Sequence, residues 1–455
     1  VPGLRAGGRR TRGARTVVNV LLSRAYVIAD DPRERGVMKP YPPLGILGIA
    51  AYLRDHGVTT SVFDTTFSTI DALFAQIIAE RPRLLGLYTN MMTRPVIVDL
   101  IARIRADERT RETIVVLGGP EVTAHVDRFL DHGADVIVIG EGEATLLELV
   151  RTVEADRQFD TVASIAVRNQ AGETIRTPAR PLIKPIDELP QPARDLIDIG
   201  QYLQVWREHH GAAAMSVSTM RGCPFSCRWC SRAVYGSSYR RRSPSVVVDE
   251  LLAIEREWGP ETIWFVDDVF TISPKWMRAF AAEVTERNVS VRYECISRAD
   301  RLNEEMIDLL VASGCFRIWI GAESGSQKIL DAMDRRVEVT AVREMMLLAR
   351  ERGLETGTFI MLGYPGETLA DIEETIHHLK ACRPHHYTVT TAYPIAGTPL
   401  YDEVNDRLTV APPWSASTDR DIRFERTYPE RFYAHALRRL DAEVRIDRLQ
   451  RESSG

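Results

Sequence analysis

The sequence predicts an α/β protein made of two successive blocks of parallel strands, followed by a short helical cap. Three observations carry this. Short apolar runs recur without the in–out alternation of a half-exposed strand, so each is buried on both faces. Amphipathic stretches of about ten residues or more separate them, long enough for the crossover that a parallel pair requires. One proline-rich interruption, 156–205, sets the first block apart from the second.

In the first block the expected strands are "TVVNVLLS" (16–23), "TTSVFD" (59–64), "LLGLYT" (84–89), "TIVVLGG" (113–119) and "DVIVIGEG" (135–142). Helical patterns lie between them in "YPPLGILGIAAYLRDHG", "STIDALFAQIIAERP", "RPVIVDLIARIRAD", "EVTAHVDRFLDHG" and "EATLLELVRTVEAD". Five strands and five helices fit a doubly wound, flavodoxin-like (Rossmann-type) sheet over 17–155. In such sheets ligands lie beyond the carboxyl ends of the strands. Two of those ends are glycine-rich, Gly118-Gly119-Pro120 and Gly140-Glu141-Gly142-Glu143. Glycine admits a ligand close to the backbone, and the helix that follows offers free N–H groups. Tyr41, Pro42, Leu44 and Gly45, in the "PYPPLG" stretch after strand one, form an expected third wall.

Residues 156–205 read as a linker, with a hairpin in "TVASIAVRNQAGETIRT" about the Asn169–Gly172 turn. The second block, 206–400, places strands at "AAAMSVSTM" (212–220), "ETIWFVDD" (261–268), "SVRYECIS" (290–297), "CFRIWIGAE" (315–323), "ETGTFIMLG" (355–363) and "HHYTVTTAYP" (385–394). Six strand–helix repeats are three-quarters of a TIM barrel, whose reactive face lies at the strand carboxyl ends. Residues 401–455 are charged and aromatic with the weakest pattern, and are expected to form the cap.

Composition excludes several classes. The chain has 455 residues, 58 Lys and Arg against 63 Asp and Glu, and a net charge of −5. That length predicts two or three domains. No apolar run is long enough to span a membrane. The opening "VPGLRAGGRRTRGAR" lacks a signal peptide's apolar core, and residues 1–16 are expected to be a disordered tail. No basic patch elsewhere accompanies it, so nucleic acid is not an expected partner. Six cysteines, none before Cys223, do not make a secreted disulfide framework and fit a reducing cytoplasm.

Three of those cysteines stand together in "RGCPFSCRWCSR", directly after the first strand of the second block. Cys223, Cys227 and Cys230 can hold one zinc ion plus water, or three irons of a 4Fe–4S cube. Zinc sites complete their ligand set nearby. Here His209 and His210 lie beyond the preceding strand, and no second cysteine pair exists. The spacing favours a cube with one open iron over zinc, and over structural thiols.

With Trp229 before the last cysteine, C-x3-C-x2-C on the loop after strand one of a partial barrel resembles the radical S-adenosylmethionine superfamily. The resemblance implies that the open iron binds S-adenosylmethionine, whose reductive cleavage gives a 5′-deoxyadenosyl radical that abstracts hydrogen. It also implies contacts at the other strand ends. They are Asp267 and Asp268 after strand two, Glu294, Ser297 and Arg298 after strand three, and Glu323 and Ser324 after strand four. Arg336 is implied as a methionine-carboxylate partner, and Met361, Gly363 and Tyr364 lie near the adenine.

The first domain resembles the cobalamin-binding class of this superfamily, in "YPPLG", "GGP" with Glu121 following, and "GEGE". The methylthiotransferases, with three further cysteines in that domain, do not fit. No histidine has Asp two before it and Gly three after it, so the D-x-H-x-x-G cobalt ligand is absent. The class then implies that Tyr88, Thr89, Asn90 and Met91 face the lower side of the corrin. His125 is expected to be a surface or capping residue. The implied activity is C-methylation of an unactivated carbon of a small-molecule substrate. An arginine-rich composition typical of GC-rich bacteria suggests a natural-product setting. The alternatives are a radical cyclase or rearrangement enzyme and, in another class, a non-catalytic cobalamin carrier or sensor, which would need no open iron. A one-electron reductant such as flavodoxin or ferredoxin is the implied partner, and the sequence leaves the oligomeric state open.

Overall fold

Residues 19–155 and 157–453 are described in a computed structural model. The expected tail, 1–16, and the start of the expected first strand lie outside them. The first sheet opens with five parallel strands: β1 (Val20–Ser23), β2 (Thr60–Val62), β3 (Leu84–Tyr88), β4 (Ile114–Gly118) and β5 (Val136–Val138). Their order, β2-β1-β3-β4-β5, is the flavodoxin-like one. The hairpin β6 (Ile165–Arg168) and β7 (Thr174–Arg176) is where the sequence places it, but it does not act as a mere linker. β6 pairs antiparallel with β5 and extends this sheet.

Helices cover both faces, which is why the strands read as continuous apolar runs. On one side lie α1 (Pro32–Val37), which is peripheral, and then α2 (Leu44–Asp55) with its Ile46, Ala50 and Leu53 in the core. α3 (Ile70–Glu80) and α4 (Arg94–Ala106) pack the opposite face through Leu73, Ile77, Ile97 and Ile101. α5 (Val126–Asp131) is shorter than its periodicity predicts, with Val122–Ala124 wound as a separate 3₁₀ turn. The break falls at His125, whose neighbours are drawn into a contact described below. α6 (Glu143–Glu154) completes the α2 side with Leu146, Leu147 and Val150.

After α7 (Ile199–His210) comes β8 (Ala214–Val217), then a two-stranded ladder of β9 (Met220–Arg221) and β10 (Arg240–Arg241) that closes the cysteine loop at its base. The remaining barrel strands are β11 (Thr262–Phe265), β12 (Tyr293–Ser297), β13 (Cys315–Ile320), β14 (Glu355–Leu362) and β15 (His386–Thr391). With β8 they form one all-parallel sheet in chain order, each at its expected place. The helices between them, α8 (Pro244–Glu257), α9 (Pro274–Glu286), α10 (Glu304–Ala312), α11 (Gln327–Ala332), α12 (Val339–Glu351) and α13 (Leu369–Cys382), wrap the outside.

The end of the chain is larger than the short cap expected. α14 (Pro399–Val404) leads into a small ladder of β16 (Leu408–Val410) and β17 (Arg423–Phe424), then the 23-residue helix α15 (Glu430–Glu452). Tyr433, Ala436, Leu440 and Val444 repeat at helical spacing and join the barrel core. Abundant charge on its other faces hides this stripe in the sequence. No helix among the described residues is long and apolar enough to cross a membrane.

Candidate functional site

The carboxyl ends of both sheets face one cavity of about 440 Å³. The first domain lines it with the expected Tyr41, Pro42, Leu44 and Gly45, with Tyr88 and Asn90, and with Gly118, Gly119 and Gly140–Glu143. The barrel adds Ser216, Val234, Tyr235 and Val266. Thr89 is buried beneath this lining rather than in it. Its N–H donates to the Gly118 carbonyl at 2.7 Å, and its carbonyl accepts from Glu121 N–H at 3.3 Å. A side chain at Gly119, where φ is +116°, would put Cβ 2.4 Å from the Thr89 carbonyl oxygen, so only glycine fits this crossing. Met91 and Pro120 are likewise outside the lining.

The two acids of the "GEGE" turn do more than line a wall. Arg221 binds Glu141 at 2.7 Å and also grips Glu143, while Arg240 binds Glu141 at 2.8 Å. Against burial, hydrogen bonds from Arg221, the Ile183 N–H and Arg240 hold the Glu141 carboxyl below its ordinary range. Arg221 directly precedes Gly222 and Cys223, so this ion network ties the first domain to the root of the cysteine loop. Nothing in the sequence marks these arginines as partners, because the contact joins residues about 80 positions apart.

Gly222 turns the chain into the loop at φ +83°, where a Cβ would lie 2.1 Å from the Ser238 carbonyl oxygen. Cys223 and Cys227 are buried, Cys230 is partly so, and all six cysteines are free thiols. Burial and the nearby Asp268 charge push the Cys230 thiol up to about 12, and the same two causes raise Cys223, so binding a metal there must release protons. Asp268 is exposed and acts on the thiols through its charge. Asp267 instead turns inward, accepting from Thr219 N–H at 2.7 Å and Met220 N–H at 3.2 Å. It pins the strand end from which the loop departs.

At the next strand ends the expected residues divide. Arg298 reaches the loop, its Nη1 3.6 Å from Cys227 Sγ. Glu323 lies at the same rim, with φ +63°, and its carboxyl is pushed up by burial against the pull of Arg335 and Arg298. Glu294 sits lower in the barrel, accepting from Arg317 at 3.1 Å and Trp319 Nε1 at 2.9 Å. Ser297 bonds Thr271, and Ser324 turns outward to Thr375 of α13 at 3.2 Å. Met361 and Trp229 flank one apolar cluster around the buried Tyr364, and Gly363 leaves room for the Arg426 side chain.

One expectation is corrected outright and a second in part. Arg336 does not face the site; it is 74% exposed and pairs with Asp334 at 2.7 Å. Its neighbour Arg335 turns inward, with Nη1 3.6 Å from Cys227 Sγ and Nη2 donating to the Gly321 carbonyl at 3.0 Å. Adjacent arginines look alike in sequence, and only the left-handed turn through Asp334 and Arg336 decides which one points in. His125 holds the N-cap position of α5, as expected of a capping residue, but its side chain makes no capping hydrogen bond and is not at the surface. It packs against Trp414 in a cluster with Glu121 and Asp419. Arg94, 1% exposed, binds both carboxylates and the Ser417 carbonyl, so Glu121 faces away from the cavity. Burial and Asp419 push the Glu121 carboxyl up to about 7 against the pull of Arg94. Glu121, His125 and Asp419 form the one set of three potential ligand atoms within 4.8 Å among the described residues. The Arg94 guanidinium already supplies the positive charge a metal ion would bring.

A cysteine loop over a partial barrel, whose Val234 and Tyr235, though none of its three cysteines, line the cavity of a doubly wound sheet, points to a radical S-adenosylmethionine enzyme with a cobalamin-binding domain. Family comparison agrees: the Radical SAM superfamily matches residues 217–379 and the B12 binding domain matches 37–150. The chain belongs to the cobalamin-binding radical S-adenosylmethionine enzymes. An uncharacterised methyltransferase of Pyrococcus horikoshii is 29% identical over 390 residues, 84% of this chain and 82% of that one. The anaerobic magnesium-protoporphyrin IX monomethyl ester cyclase of Rubrivivax gelatinosus is 26% identical over 383 residues, 81% of this chain and 67% of that one. Of solved structures, the methyltransferase TsrM from Kitasatospora setae, with tryptophan and a S-adenosylmethionine analogue, shares the fold at TM-score 0.74 and 19% identity, covering 94% of this chain and 89% of its own. OxsB with aqua-cobalamin does so at 0.76 and 16%, covering 91% and 65%.

The cofactors are therefore a 4Fe–4S cluster, S-adenosylmethionine and cobalamin, and the residues fit them. The three thiols do not converge within 4.8 Å on a single ion, yet they act electrostatically on one another, as ligands to separate irons of one cube must. In the cavity, a Cβ at Gly45 would meet no protein atom within 4 Å, so this wall stays open to a bound group. No histidine lines the cavity, in keeping with the missing D-x-H-x-x-G motif.

Proposed function

We propose that the chain is a C-methyltransferase acting on an unactivated carbon of a small biosynthetic intermediate. The observation that carries this is the single cavity shared by the strand ends of both domains and tied by Arg221 to the root of the cysteine loop. When bound, the cluster with S-adenosylmethionine supplies radical chemistry, and cobalamin supplies a methyl carrier beside it. Cys223, Cys227 and Cys230 hold the cluster. Tyr41, Pro42, Leu44 and Gly45 with the Gly118–Gly119 and Gly140–Gly142 turns hold the corrin, and Tyr88 and Asn90 face it. The apolar Val234 and Val266 keep water from the space between the domains. Glu323 lies at the barrel rim, its carboxyl raised by burial against the pull of Arg335 and Arg298.

On this proposal the cobalamin-binding unit runs through the β6–β7 hairpin, the barrel spans about 206–400, and the remainder bridges both. Substrate enters where both domains meet the C-terminal cap, 401–455. A flavodoxin- or ferredoxin-type donor in a reducing cytoplasm delivers electrons. Methyl transfer is favoured because the relative from Pyrococcus horikoshii, matched over most of both chains, bears a methyltransferase name. The cyclase relatives support ring closure as the second reading. Incubation with methyl-deuterated S-adenosylmethionine and a small-molecule extract separates them. Deuterium in a product is expected; 5′-deoxyadenosine formed with an unlabelled product would favour cyclisation.

A further inference from the structure

We propose that Arg298 and Arg335 form a paired guanidinium clamp on the Cys227 sulfur that raises the reduction potential of the cluster. This rests on the assignment of the three cysteines to that cluster. The geometry singles out one corner: each arginine places an Nη1 3.6 Å from Cys227 Sγ. Among the described residues, neither Cys223 nor Cys230 accepts such a bond; Arg298 and Arg232 act on them through charge alone, opposed by Asp268.

The clamp is built rather than incidental. Arg298 is 2% and Arg335 7% exposed. Arg298 stacks on Phe225, its guanidinium carbon 3.8 Å from the ring centroid, and Phe225 lies inside the cysteine loop itself. Its Nε donates to Asp300 at 2.8 Å, and its Nη2 donates to the Arg335 carbonyl at 2.8 Å, so one arginine fixes the backbone of the other. Arg335 is held by the Gly321 carbonyl at 3.0 Å and faces Glu323 at 3.8 Å. Both keep one donor for the sulfur.

Hydrogen bonds and positive charge at a ligating sulfur favour the more negative, reduced cluster and so raise its potential. The step concerned is uptake of one electron from an external one-electron donor, which is oxidised by one electron, with no bond made or broken. Two buried cations at one sulfur make that uptake easier in a chain whose net charge is negative.

The test is an EPR-monitored redox titration of anaerobically reconstituted protein without S-adenosylmethionine. Wild type is compared with Arg298→Gln, Arg335→Gln, Arg298→Lys, Arg335→Lys and Phe225→Leu, with iron counted for each. Each glutamine variant should make reduction at least tenfold less favourable, about 59 mV more negative for one electron. The lysine variants should retain part of the potential, and Phe225→Leu should shift it the same way by less. A wild-type midpoint in variants with full iron overturns the proposal, including the case where only S-adenosylmethionine affinity falls. If the glutamine variants hold no iron, an unchanged midpoint in the lysine and Phe225→Leu variants overturns it equally. Failure of the cysteine assignment looks different: wild type itself would then take up no cluster.

Discussion

Arg94 is the residue on which the junction between the first domain and the chain's end turns. It neutralises Glu121 and Asp419 in a contact closed to solvent. Removing one partner of a buried charge pair strands the other, at a cost of roughly 3–5 kcal/mol. Arg94→Met should therefore lower stability by about that much, measured as a shift in urea midpoint. Glu121 gives a pH signature. Its carboxyl ionises at about 7 in the fold against 4.5 in the unfolded chain. The folded protein thus holds a proton that the unfolded chain has lost, and stability falls as pH rises between those values and is flat above them. In urea midpoints from about pH 5 to pH 8, Glu121→Gln should remove this part of the slope, while Glu367, also raised to about 7, keeps its own and His125 and His378, lowered to about 4, oppose both below 6.5. At this scale the sequence was uneven. C-x3-C-x2-C was legible because its chemistry is local. Arg221, Arg335 and Arg94 were not, because each acquires its role from a partner far along the chain.

Elements were more legible than contacts. Strand positions in the first sheet followed from apolar runs, since burial on two faces leaves little room for polar residues, whereas barrel strands β13 and β14 mix buried with part-buried positions and β15 is part-exposed throughout. The departures, α5 and α15, have one cause in common: residues committed to contacts that periodicity does not encode. α5 breaks where Glu121 and His125 meet the chain's end, and α15 hides four core residues among charges. Leu440→Ala on α15 should cost about 2–5 kcal/mol, as for other fully buried leucines, read from thermal or urea unfolding. The turn after β4 offers a sharper test of ligand geometry. Gly119→Ala forces a side chain onto the Thr89 carbonyl and a left-handed backbone. It should weaken cobalamin binding at least tenfold while the cluster still assembles, as titration against corrin absorbance would show.

Across the whole molecule, the account is of two domains clasped at both ends of one chamber. On one side Arg221 and Arg240 grip Glu141. On the other, Trp414 sits among His125, Phe129, His132, Arg94 and Arg128, locking residues 414–421 onto the first domain. The two-domain plan was visible in the sequence, but its closure was not, because the clasp draws on a segment with no regular pattern. Trp414→Ala should open it, seen as faster proteolysis within 405–425 with the barrel intact. The central claim is that cluster and cobalt share one chamber. EPR of anaerobically reconstituted protein, loaded with cobalamin and reduced to contain both a paramagnetic cluster and cobalt(II), tests it directly. The account predicts that each signal is broadened or relaxed by the other. Two independent, uncoupled signals, with both centres bound at one per chain, would contradict it.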